Sequence, residues 1–217
     1  MSPETSKQPS VPSFAAELGL PDWLAANLKP IVAAMITAVI VAGAIGIWDW
    51  QKERSTSKAN DELGTILLEK TGTERVKALE AFAAGAPASV RVNALFSLAD
   101  AAMQAKQYDA AAAAYATLAK ETSPALSVAA TLGQAGALLQ AGKAKESLGL
   151  LLALKDKAPA GFNGIVAMQT AAAAEAAGDP KAALAAYEAL QAQSAGNPNP
   201  YFESKIAQFK AQTTPKS

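Results

Sequence analysis

Cysteine and histidine are both missing from the 217 residues. Without them the chain has no thiol nucleophile, no disulfide and no histidine-based triad, and it lacks the usual protein ligands of zinc and haem. A cysteine-free chain suits either redox compartment, so this absence does not place it. An excess of one charge is missing too: 19 Lys and Arg stand against 19 Asp and Glu. That removes the electrostatic case for nucleic acid. Aromatics are only 6%, and β-branched residues are scarce outside one segment, which argues against a sheet. Alanine is what abounds, with 54 residues, about a quarter of the chain. It is the best helix former. The expectation is an all-α protein without enzyme chemistry, built as one domain plus an accessory segment.

The accessory segment is Ile31 to Trp48, 18 positions without a charge. As a helix it reaches about 27 Å, enough for the hydrocarbon core of a bilayer. Lys29 and Pro30 precede it, and Asp49, Lys52, Glu53 and Arg54 follow it. Trp23 lies before it and Trp48 and Trp50 close it, as aromatic residues do at a membrane interface. A transmembrane helix is therefore expected over residues 30–50. A signal peptide cleaved at Ala42-Gly43-Ala44 is a second reading, but the preceding 29 residues are long and hold only Lys7 and Lys29 as basic residues. A buried core helix is a third, and the alanine-rich remainder is a poor shell for it. Ala34, Ala38, Ala42 and Gly46 recur every four residues, a candidate face for close packing against another transmembrane helix, or a by-product of composition. Ahead of the run, the composition of Met1 to Ser13 predicts disorder, and a short interfacial helix or plain lead-in is expected up to residue 29. By charge, Lys52, Arg54 and Lys58 against Lys29 alone would put the C-terminal part in the cytoplasm.

After a juxtamembrane stretch, the chain repeats itself with a period of 36. Ala99, Ala135 and Ala171 correspond, as do Lys106, Gly142 and Gly178. Next come Ala111, Ser147 and Ala183, then Tyr115, Leu151 and Tyr187, then Leu118, Leu154 and Leu190. The last three sets are spaced four and three apart, which places them on one helix face. Each copy thus reads as a helix, a glycine-type turn and an antiparallel helix. Three repeats are expected over 92–197, with a degenerate first one within 51–91 around Ala78 and Phe82. A closing helix falls in 198–217, with Phe202, Ile206 and Phe209 on one stripe and Lys205, Gln208 and Lys210 opposite. Such a helix covers the open end of a solenoid.

These positions resemble the tetratricopeptide repeat, although the period is 36 and the early tryptophan of that motif is missing. The order of the parts, with Gly161, Phe162, Gly178, Asp179, Ala183 and Tyr187, is similar to the ancillary SecYEG translocon subunit family. That resemblance implies a bacterial inner-membrane protein with periplasmic repeats, whose partners are SecYEG and a periplasmic chaperone. On this point the resemblance and the charge bias disagree. A structural accessory subunit of another membrane complex is the alternative reading.

Catalytic motifs do not survive inspection. Gly136 to Lys143 has one residue too many for a phosphate loop, and Ala144 replaces the magnesium-binding hydroxyl. Asp61-Glu62 and the pair Glu175 and Asp179 read as surface and helix-cap carboxylates. No catalytic, metal or cofactor site and no small-molecule substrate is expected. Binding remains. The tetratricopeptide resemblance implies a concave groove lined by the first helix of each repeat. By position it selects Phe96, Asp100 and Met103, then Leu132, Gly136 and Leu139, then Ile165, Met168, Ala172 and Glu175. Two methionines suit a permissive surface for apolar segments. The competing reading makes several of these residues repeat-packing core.

Overall fold

A computed structural model describes residues 28–194 and 199–214. These residues form α-helices and one short 3-10 turn, with no strand among them. The tail and the lead-in before Leu28 lie outside the described residues. The chain divides into two units, Met1–Arg54 and Ser55–Ser217. Helix α1, Leu28–Glu69, is the first element. Pro30 sits in its first turn, where a backbone N–H has no helical partner to lose.

In the first unit, every residue from Ala33 to Trp50 is exposed. No part of its apolar window is buried by the protein. The helix is long and apolar enough to cross a membrane. Near the end of the run the Arg54 guanidinium lies 5.3 Å from the centre of the Trp50 ring, a cation–π arrangement.

The second unit is the helical array. Ala59, Leu63 and Ile66 on the last turns of α1 are buried, a spacing that gives one face. There follow α2 (Gly72–Gly85), α3 (Ala88–Gln104), α4 (Tyr108–Glu121), α5 (Pro124–Gln140) and α6 (Ala144–Lys155). A 3-10 turn at Ala160–Phe162 leads into α7 (Asn163–Ala177), α8 (Pro180–Gln193) and α9 (Pro200–Thr213). From α2 onward each helix packs on the next, and α5 also packs on α7. That is a stack of antiparallel hairpins. The end of α1, α2, α3, α4 and one side of α5 (Ala130, Ala137, Leu138) share one core, and a second core runs from α5 to α9.

Alanine makes the stack possible. Ala99, Ala135 and Ala171 are at most 1% exposed, as are Ala111, Ser147 and Ala183 facing them in the second helix of each hairpin. Ser147 Oγ donates to the Ala135 carbonyl at 2.7 Å, a distance that only small side chains permit between two helices. Leu118, Leu151, Leu154, Tyr187 and Leu190 are buried on the same face. Tyr115 is half-buried, and its ring lies over Gly133 of the next hairpin, where a Cβ would sit 2.7 Å from Cε1.

The turns repeat as well. Lys106, Gly142 and Gly178 have φ of 58°, 76° and 69°, the left-handed region. Each donates its N–H three residues back, to Met103, Leu139 and Glu175, at 3.1 Å. The following N–H groups reach the carbonyls of Ala102, Leu138 and Ala174, closing the same helix-ending motif three times. Glycine adopts this conformation freely, whereas lysine is strained there. Lys106→Gly is therefore expected to stabilise the array by about 1 kcal/mol, and Gly142→Ala to destabilise it by about the same. Urea titration of both variants checks the pair; equal shifts in one direction would refute the turn assignment.

Both arginines of the array close helix ends. Arg75 donates through Nε to the Lys70 carbonyl at 2.6 Å and through Nη2 to that of Leu67 at 3.0 Å. Arg91 donates to the carbonyl of Ala83 and holds Glu121 with two bonds, at 2.7 and 3.1 Å. The guanidinium of Arg91 thereby joins the ends of α2 and α4. Its pKa is raised, first by the hydrogen bond to Glu121.

Candidate functional site

The groove positions selected from sequence fall on α3, α5 and α7, the first helix of each hairpin. They do not share one environment. Phe96 and Met103 are half-buried against the first core. Asp100 is exposed and accepts a hydrogen bond from Gln104 Nε2 at 2.7 Å. Leu132 is buried in the second core. Gly136 and Leu139 are half-buried. Ile165 and Met168 are about half exposed, at 48% and 51%, and Ala172 beside them is exposed. The open apolar part of this line is therefore confined to α7.

Glu175, at the end of that line, is engaged by α9. Lys205 Nζ donates to its Oε2 at 2.6 Å, and the Tyr187 hydroxyl donates to its Oε1. Around this pair stands an aromatic box. The rings of Tyr187 and Phe209 are nearly parallel, 6.1 Å apart. The Lys205 ammonium lies 5.8 Å from the ring centres of Tyr187, Tyr201 and Phe209. Desolvation pushes the Glu175 carboxyl up, but hydrogen bonds from Lys205 and Tyr187 outweigh it and hold the group below its ordinary value. Burial, then the bond to Glu175, pushes the Tyr187 hydroxyl well up.

Lys205 corrects the sequence reading, which placed it on the solvent side of α9. Its side chain is 21% exposed and points to Glu175. At about 100° per residue it lies about 60° from Phe202 and about 40° from Phe209, beside that stripe rather than opposite it, so the signal was present in the spacing.

Gly136 to Lys143 runs from the interior of α5 into the hairpin turn, with Gly142 at its left-handed position. It makes no phosphate cradle. Ala34, Ala38, Ala42 and Gly46 form an exposed row on α1. A cleft between α6, α7 and α8, unforeseen from sequence, is the other apolar opening near α7.

The architecture defines a class before any relative is considered: a helical-hairpin solenoid preceded by an apolar helix. Residues 21–212 match the tetratricopeptide repeat-like domain family, and the chain belongs to that family. The match begins ahead of the apolar run, so the exposed stretch of α1 lies inside it. No curated protein and no solved structure matches the chain. Membership in this family is consistent with a scaffold for protein contacts.

Proposed function

We propose that this protein is a non-enzymatic scaffold, anchored by one membrane span, whose repeats dock partner proteins at the bacterial secretion machinery. One observation carries the anchor: an uninterrupted apolar helical run, Ala33 to Trp48, is exposed along its whole length, while the helices after Ser55 bury cores of their own. In water that run would be an unpartnered apolar surface, and a bilayer removes the cost.

The secretion reading draws support from the order of span and repeats and from the resemblance at Gly161, Phe162, Gly178, Asp179, Ala183 and Tyr187. In this fold those residues have packing duties. Gly161 and Phe162 form the turn before α7, Gly178 takes the left-handed turn, and Asp179 accepts the Ala182 N–H at 3.0 Å as the cap of α8. Ala183 and Tyr187 are buried. What supports the secretion partner is thus the arrangement of the whole chain.

The repeats are placed in the periplasm. The counter-argument from Lys52, Arg54 and Lys58 involves three residues of a large domain, and large domains translocate despite their charge. The test uses the cysteine-free background. In intact cells an impermeant thiol reagent admitted through the outer membrane should modify a Ser217→Cys chain, and gentle purification should bring translocon components and a periplasmic chaperone with it. Labelling only after the inner membrane is broken removes the secretion reading. A stoichiometric set of unrelated membrane subunits would instead make the Ala34–Gly46 row the contact of another complex.

A further inference from the structure

The junctions between successive hairpins are not alike. Two residues, Thr122 and Ser123, join α4 to α5, and Ser127 Oγ at the start of α5 donates to the Ala119 carbonyl at 2.6 Å. Seven residues, Asp156 to Phe162, join α6 to α7 and include the 3-10 turn. At this second junction a cleft of about 250 Å³ lies open. Leu152 and Lys155 of α6, Val166 and Thr170 of α7, and Ala182 and Ala186 of α8 are among its walls. Its lining residues on α7 face away from Ile165 and Met168, because a helix turns about 100° per residue. The cleft is therefore separate from the groove face.

Along the 36-residue register the position in its wall is Ala114 in α4, Leu150 in α6 and Ala186 in α8, so one hairpin shows how a leucine fills the equivalent place. Leu150 is half-buried and packs against the first core. One hairpin later the same position offers only a methyl group, and that methyl lies in the wall of the cleft. Lys155 and Asp156, both in the wall of the cleft, form no ion pair with another described residue. They present one charge of each sign beside an apolar floor.

We infer that this cleft receives a leucine side chain of a partner protein, flanked in the partner by an acidic and a basic residue. The bound isobutyl group takes the place that Leu150 fills from within one hairpin earlier. Lys155 then meets the acid and Asp156 the base. An apolar anchor in a small pocket with a charged rim is a common way for a short segment to gain specificity. The inference rests on the scaffold reading and adds to it the site and the chemistry of the docked segment.

The test has two arms on the full-length protein in detergent micelles. In the first, Ala186→Leu supplies the missing side chain. Filling an open cleft should raise the melting temperature by about 2–5 °C, whereas overpacking a closed one would lower it and overturn the inference. In the second, alanine-methyl-labelled protein is titrated with the peptide acetyl-Ala-Glu-Leu-Lys-Ala-amide. The methyl signals of Ala182, Ala185, Ala186 and Ala189 should shift, and the effect should fall at least tenfold with alanine replacing leucine in the peptide. Equal shifts with both peptides, or none at these four methyls, overturn the inference. Applied to Ala186→Leu, the partner purification separates the two levels. Partners kept by this variant remove the cleft and leave the scaffold; partners absent even from the native chain remove the scaffold, and the peptide titration still decides the cleft.

Discussion

Replacing Tyr187 by alanine is expected to cost about 3–5 kcal/mol, the range for losing a buried aromatic side chain. Tyr187 is 4% exposed and is the residue on which α9 closes. It stacks on Phe209, touches Phe202 and Tyr201, and donates to Glu175. Its loss removes the floor of the aromatic box and the donor to a partly desolvated carboxylate. The damage should be local, since a solenoid loses its end repeat before its middle. Limited proteolysis should cut first within α9, and α9 amides should exchange faster than those of α3 and α4. Tyr187→Phe, which keeps the ring, should lose only about 1 kcal/mol. If Tyr187→Ala left the exchange of α9 unchanged, the clasp would not hold the helix.

The same clasp gives a pH window. Glu175 is held below its ordinary value of 4.5 by Lys205 and Tyr187 against desolvation, so its contribution is full above that value and is lost as pH falls through the lower one. Lys205 is raised above 10.5, first by the hydrogen bond to Glu175, so its contribution is present below that value and is lost as pH rises further. Between these limits α9 should stay seated. Glu175→Gln should flatten the acid side of the profile, measured as α9 amide exchange between pH 5 and pH 3, because the amide does not titrate.

Ala135→Leu should be the most disruptive change at the centre of the array, at about 3 kcal/mol or more. Ala135 is fully buried, and its carbonyl accepts the Ser147 hydroxyl at 2.7 Å, so three further carbons have nowhere to go without parting α5 from α6. Ala125→Leu on the same helix is the control. Ala125 is exposed, and the change should stay within about 0.5 kcal/mol. Urea denaturation of the two variants decides the matter. A similar small effect at both positions would mean that the small residues reflect composition and not helix contact.

What the sequence by itself determined is the helical class, the repeat and its turns. Helix follows from alanine content and the scarcity of β-branched residues outside the apolar run. The register follows from the spacing of Ala99, Ala111, Tyr115 and Leu118 and their counterparts, because two packed helices need small residues where they touch. The turn follows from Gly142 and Gly178, and Lys106 shows the backbone geometry imposed where no glycine stands. The apolar run was legible because 18 uncharged residues are a local property. Only the tertiary structure decided which helix faces are covered. Periodicity sorts residues onto faces without saying what lies against each face. Leu132 thus lies in the core while Met168, one 36-residue period later, is half exposed. The Lys205–Glu175 pair needs two elements 30 residues apart to meet. The cleft beside Ala186 is walled by α6, α7 and α8 together, and a spacing between packed helices is a property of the assembled fold.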